Sequence, residues 1–236
     1  MLSEIARCLD LVSPEAGRAD YLSAIVERNI LGKRTEATRR ESFRRLRELY
    51  SLDPATPLFG VLRSLDAGDP TARPLLALLI VTARDPLLRA TIPTVLGAHE
   101  GDSLGAEDFD AALEQAFPRH LKEKTRAATA RHIASSWSQS GHLCGRSDKK
   151  RTRVSPRPAT ITLALLMGTL QEVRGPELFT TDWCRILDLN ADQARTLASQ
   201  AHREGLLDLH AIGNIVEIAF PRFSNLFANG HTRESL

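Results

Sequence analysis

The chain has 236 residues, 42% of them hydrophobic and 25% charged, a balance that supports a folded core and excludes a disordered polymer. Its 31 Lys and Arg nearly cancel 29 Asp and Glu, leaving a formal charge of +2, so any strongly basic surface must be local. Three cysteines, Cys8, Cys144 and Cys184, with no C-x-x-C pair, exclude a disulfide framework and a thiolate metal site and point to a reducing cytosol.

The N-terminal segment MLSEIARCLDLV has an acid at its fourth position and lacks the basic start of an export signal, so none is expected. Beyond it, apolar residues recur at spacings of three and four between Pro, Gly and Asp stops. This predicts helices near 18–30, 36–50, 55–65, 73–83, 86–96, 106–117 and 121–140. The longest apolar runs, PLLALLIVTA (74–83) and ATITLALLMG (159–168), fall short of the ~20 residues that cross a bilayer, so no membrane span is expected.

The helix over 36–50 lies in KRTEATRRESFRRLRELY (33–50), which holds seven Lys or Arg against three Glu. At 100° per residue, Phe43, Leu46, Leu49 and Tyr50 share the core side, and Arg40, Arg44 and Arg47 form a row beside it. Like charges at that spacing cost about 0.2–0.5 kcal/mol per pair, so the row needs compensation. Internal pairs can supply it, through Glu36 with Arg40, Glu41 with Arg45 and Glu48 with Arg44. So can phosphate oxygens, which match the planar guanidinium fork. The surplus of Lys33, Arg34, Arg39 and Arg45 favours phosphate.

Charge is sorted further along the chain. Residues 98–117 carry six acids and no Lys or Arg, whereas 119–153 carry ten Lys or Arg and two acids. The helix over 121–140 bears Lys122, Lys124, Arg126 and Arg131. GHLCGRSDKKRTRVS (141–155) then reads as a hairpin with strands at His142–Cys144 and Thr152–Val154. Its charged tip includes Arg146, Lys149, Lys150, Arg151 and Arg153. Helix plus basic hairpin is the charge layout of a wing on a DNA backbone; the plainer alternative is a solvated loop.

The prolines of RVSPRPAT divide a helical domain, 1–155, from a second unit, 159–236. In the second unit the sequence predicts a helix over 160–173, a short strand at PELF (176–179), and a helix capped by Thr180 or Thr181 and running to Leu187. Asn190 caps the next helix, which ends at Gly205. LLDLH and IVEIAF, joined by AIGN, complete a hairpin. That order is a winged helix-turn-helix, in which the third helix offers Gln193, Arg195, Thr196, Ser199, Gln200 and Arg203 to a groove. The fold class is therefore mainly α: a helical N-terminal part with helix-turn-helix elements and a basic β-hairpin, then a winged-helix-like unit.

Catalytic and cofactor signatures are absent. The histidines form no H-x-x-x-H or H-E-x-x-H pair, and His142 with Cys144 is too sparse for a four-ligand metal site. Glu107, Asp108 and Asp110 sit at a helix start, where acids favour the dipole. No phosphate-loop, dinucleotide or nucleophile-elbow motif occurs. Trp137 and Trp183 read as core. No cofactor, metal or enzymatic activity is expected.

Three segments, YLSAIVERNILGKRTEATRRESFRRLRELY, LLALLIVTARDPLLRATIPTVL and LKEKTRAATARHIASSWSQSGHL, resemble the BrxA-like family of BREX bacteriophage-exclusion systems over roughly residues 20–145. Asn29–Thr35 and Thr125–Ile133 match best. The resemblance implies a small, mostly helical, cytoplasmic accessory protein of antiviral defence that binds double-stranded DNA without chemistry of its own and acts beside other phage-defence subunits. Two alternatives stand beside it: an interaction scaffold whose basic faces meet acidic proteins, and a winged-helix transcriptional regulator. The sequence does not fix the oligomeric state.

Overall fold

The fold was analysed in a computed structural model, which describes residues 1–213 and 215–224. The chain is mainly helical. It begins with α1 (Leu2–Leu11), α2 (Arg18–Leu22), which continues as a π-helical turn over Ser23–Glu27, α3 (Glu36–Tyr50) and α4 (Pro57–Gly68). After a 3-10 turn at Pro70–Ala72 come α5 (Arg73–Arg84), α6 (Pro86–Arg89), α7 (Ile92–Gly97), α8 (Ala106–Ala116) and α9 (Glu123–Gln139). A small hairpin, β1 (Leu143–Cys144) and β2 (Lys150–Arg151), leads to α10 (Pro158–Leu170). The chain then runs through a 3-10 turn (Gly175–Thr180), α11 (Asp182–Ile186), α12 (Ala191–Arg203) and a second hairpin, β3 (Asp208–Ile212) and β4 (Ile215–Ala219).

The two longest apolar runs become the two central helices. Leu75–Ala83 of α5 and Pro158–Gly168 of α10 are buried at every position, because each helix has neighbours all round. α5 packs on α1, α3, α4 and α10, and α10 packs on α4, α5, α11 and α12. A helix that is apolar on all faces has this environment available only in the middle of a fold or in a membrane, and no helix among the described residues is long and apolar enough to span one. The buried side chains before and after residues 155–159 form one continuous cluster, with α10 shared between the two expected units.

Several elements depart from the sequence expectation. The amphipathic α1, which buries Leu2, Ile5, Cys8 and Leu9, was not among the expected helices. The helix expected over 86–96 is two short ones, because Pro93 removes a backbone donor and crowds the preceding turn. Thr91 fills the break, donating to the Leu88 carbonyl (2.7 Å) and accepting from the Trp137 indole (2.9 Å).

PELF is a 3-10 turn instead of a strand: Leu178 and Phe179 are consecutive and both buried, which a strand with one buried face cannot achieve. Gly175 turns the chain with φ +66°. Gly168 lets the turn approach α10, since a Cβ there would lie 2.9 Å from Leu178. Thr181 holds the N-cap position of α11, but its hydroxyl donates back to the Leu178 carbonyl, so neither it nor Thr180 caps through its side chain. Asn190 does cap α12, accepting from the Gln193 amide at 2.9 Å, and Gly205 closes that helix at φ +68°.

The first hairpin pairs Leu143 with Arg151 and Cys144 with Lys150, so its second strand lies two residues earlier than Thr152–Val154. Its other edge is held as well. The Arg151 amide donates to the Asp102 carbonyl (2.8 Å), and the Leu104 amide donates to the Lys149 carbonyl (2.8 Å). The basic segment is thus an ordered middle strand and no free loop.

This hairpin is locked to the α11–α12 turn through buried polar groups. The Arg151 guanidinium makes a two-pronged pair with Asp188, the side chains being 5% and 8% exposed, and it also donates to the Val95 carbonyl at 2.9 Å. Asp188, in the left-handed region at φ +57°, additionally accepts from the Val154 amide at 2.9 Å. Beside it His142 donates through Nε2 to the Ile186 carbonyl (2.7 Å), since a carbonyl can only accept. Its Nδ1 lies 2.8 Å from the Ser140 hydroxyl, and its ring stands edge-on to Trp137.

Breaking one half of a buried ion pair leaves the other charge uncompensated. Asp188→Asn and Arg151→Met should each lose about 3 kcal/mol in urea unfolding, and the double variant should lose much less than the sum. Burial pulls the His142 pKa down to about 4. Between pH 6.5 and that value the unfolded chain binds a proton that the folded chain refuses. Stability should therefore fall as pH drops through that window, by on the order of 3 kcal/mol, and flatten below it. Thermal melts of wild type and His142→Gln across pH 4–7 measure this, with the variant expected to lose the slope.

Candidate nucleic-acid interface

The first basic surface forms on α3 as the periodicity predicts. Thr35 caps the helix, accepting from the Thr38 amide at 3.2 Å, and Phe43, Leu46 and Tyr50 are buried on its core side with Leu49 half-buried. The arginine row is neutralised locally. Arg40 pairs with Glu36 at 2.7 Å, Arg45 with Glu41 at 2.7 Å, and Arg44 sits between Glu41 (2.7 Å) and Glu48 (2.5 Å). Hydrogen bonds from Arg44 and Arg45 hold the Glu41 carboxyl down at about 2, so it stays ionised beside them. Lys33 pairs with Glu4, and Arg39 donates to the Val26 carbonyl at 2.6 Å. Among the described residues only Arg34 and Arg47 of this surface are exposed without an ion pair.

α9 flanks the same helix. Arg44, Arg45 and Glu48 share a groove of about 480 Å3 with Thr129, His132 and Ser136. Arg126, at the start of α9, is held half-buried by Asp110 (2.9 Å) and Glu114 of α8. The acidic stretch 98–117 thus meets part of the basic stretch that follows it. Lys122, Lys124 and Arg131 stay exposed.

On the hairpin, Arg146 is exposed, Lys149 donates to the Ser138 hydroxyl at 2.8 Å, and Lys150 lies 3.9 Å from Asp148. Arg151 leaves the candidate set: it is buried on Asp188 and cannot reach a polyanion. Arg153, two residues on, is exposed and opens into a cleft of about 490 Å3 lined also by His99, Glu100, Arg185, Asp188, Asn190 and Gln193. The end of the hairpin, the end of α11 and the first turn of α12 converge there.

Along α12 the candidates divide. Gln193 returns its side-chain oxygen to the Asn190 amide (3.0 Å) as the second half of the cap. Arg195 stacks over the Phe179 ring at 5.0 Å, and Gln200 donates to Glu204 at 3.0 Å. Arg203 is exposed, while Thr196 and Ser199 bond back to carbonyls of their own helix. Sequence reasoning missed Arg185. It stands on the last turn of α11, paired with Asp182 at 3.1 Å across a fully solvated gap, and its position just before a helix-helix turn was the available signal.

His142, just before β1, is buried and Cys144, at the end of β1, is exposed, so they do not converge on a ligand. The buried thiols Cys8 and Cys184 are pushed up to about 12 and about 11 by desolvation, which leaves them unreactive at neutral pH. Comparison with protein-family models, curated proteins and solved structures finds no match to this chain.

Proposed function

We propose that this chain is a non-enzymatic accessory protein that binds double-stranded DNA mainly through backbone phosphates, in the cytoplasm, within a phage-defence system of the BREX kind that its sequence resembles. The observation that carries the reading is the cleft where Arg153 and Arg185 lie together at the start of α12. A helix-turn-helix that docks on a duplex brings its second helix to the groove and its flanking cations to the phosphates. On the winged-helix-like reading, α11 and α12 form that pair. Arg153 and Arg185 then act as phosphate clamps, with Arg146 and Lys150 on the neighbouring hairpin, while Arg203 is presented by α12 itself. Arg40, Arg44 and Arg45 of α3 contribute little here, because their guanidinium groups already hold carboxylates, whereas Arg47 is, among the described residues, the exposed, unpaired arginine of that helix.

A second reading, a protein-interaction scaffold of the same kind of complex, is favoured by that local neutralisation on α3 and by the exposed apolar tip of the second hairpin.

Fluorescence anisotropy with a random duplex discriminates the two. With about four phosphate contacts, the slope of log K against log salt should be near −3.6, a loss on the order of a hundredfold between 50 and 200 mM. Arg153→Ala should weaken binding to all sequences alike and reduce the slope by about one, and Arg185→Ala should do so to a smaller extent, because that guanidinium must first release Asp182. Arg44→Ala should change affinity less than about twofold, as exposed, carboxylate-held arginines do. Binding that is absent, or that ignores salt, favours the scaffold.

A further inference from the structure

Among the described residues the second hairpin is a two-stranded sheet with no further strand on the outer edge of β4. β4 pairs, among the described residues, only with β3, in the register Asp208 with Ala219 through Ile212 with Ile215. The Gly175–Thr180 turn lies against β4, yet no backbone hydrogen bond joins the two among the described residues. A third strand would occupy this place had PELF been extended. Instead a cavity of about 650 Å3 remains there, lined mainly by Leu178, Val216, Ile218 and Phe220, with Arg174 and Glu217. Arg174 turns its guanidinium back to the Thr169 and Val173 carbonyls at 2.8 and 2.9 Å. At the tip, the cross-strand pair Ile212 and Ile215 is 81% and 68% exposed.

An unpaired strand edge over an apolar cavity is the geometry that accepts an added strand. Main-chain bonds supply the affinity, and alternate side chains supply the specificity. The side chains of β4 dictate what that strand carries. Val216 and Ile218 point to the core side, so the matching residues of the incoming strand are apolar; Glu217 points outward, so the residues between them are basic. The hairpin over 206–220 contains Asp208 and Glu217 and no Lys or Arg, which suits it to a basic strand and not to phosphate. A second copy of this chain fits poorly, since antiparallel pairing of β4 with itself about its centre sets Glu217 opposite Glu217. We propose that the β4 edge is a docking site for an extended segment of a partner protein, with apolar residues at alternate positions and Lys or Arg between them.

The test uses the full chain, labelled with nitrogen-15, titrated with a capped seven-residue peptide of alternating valine and lysine and with its valine-glutamate counterpart. Expected are amide shifts confined to residues 215–219 and to Gly175, Glu177 and Leu178, tighter binding of the lysine peptide by about fivefold, and reversal of that order in the exposed variant Glu217→Lys. The idea fails if millimolar peptide leaves β4 unshifted, if the two peptides bind alike, or if the shifts lie elsewhere. Hydrogen exchange without peptide closes the remaining alternatives. Protection of the β4 amides that disappears on deletion of 225–236 makes the chain's own terminus the occupant. Protection that appears only with a dimer in ultracentrifugation makes a second copy the occupant. Either result overturns the proposal.

Discussion

The buried pair of Arg151 and Asp188 is the constraint on which the arrangement of the molecule depends. A guanidinium and a carboxylate withdrawn from water are tolerated only with nearly every donor and acceptor satisfied. Here the Val95 and Thr152 carbonyls and the Val154 amide supply the remaining bonds. Those partners come from α7, from the segment after β2 and from the α11–α12 turn, so one electrostatic contact fixes three parts of the chain at once. His142, neutral and bonded to the Ile186 carbonyl, ties the start of β1 to the end of α11 in the same way. Both links draw the turn between α11 and α12 against the hairpin, and that proximity puts Arg153 and Arg185 on one cleft.

Part of the charge elsewhere is consumed within the fold. α8 supplies Asp110 and Glu114 to Arg126, and α3 interleaves Glu36, Glu41 and Glu48 with its own arginines. A surface rich in arginine is therefore not equivalent to a surface with unspent positive charge. What a polyanion meets first is set by the guanidinium groups without a carboxylate neighbour, such as, among the described residues, Arg153, whereas Arg185 has to exchange Asp182 for a phosphate. Exposed pairs of this kind stabilise the protein only slightly, yet they remain competitors that a phosphate must displace.

Where local chemistry alone determines an element, the sequence could be read nearly residue by residue. α3 begins at its Thr35 cap and ends at Tyr50, α5 and α8 lie within a residue or so of their expected ends, and Asn190 and Gly205 bound α12. Elements decided by distant partners could not be read so. PELF has strand-like composition, but α10 and α12 offer a site for two consecutive side chains. The burial of Arg151 depends on a carboxylate 37 positions away. The same holds for the interface: the Glu–Arg pairs of α3 were visible as i,i+4 spacings, whereas the meeting of Arg153 with Arg185 exists only in three dimensions.

The C-terminal unit then carries two chemistries on separate elements. A wing that lies on a duplex needs cations at its tip to offset phosphate repulsion; β3 and β4 present two isoleucines there and acids behind them. The start of α12 has the opposite character, with guanidinium groups around a polar cleft. Apolar tip and cationic cleft cannot both face the same ligand favourably, because burying the isoleucines against phosphate strands the anion beside hydrocarbon, and placing the arginines against an apolar partner strands their charge. Had PELF formed the third strand, the β4 edge would be closed and the hairpin would have only its tip to offer. Its collapse into a 3-10 turn, driven by the burial of Leu178 and Phe179 against α10 and α12, is what leaves that edge available.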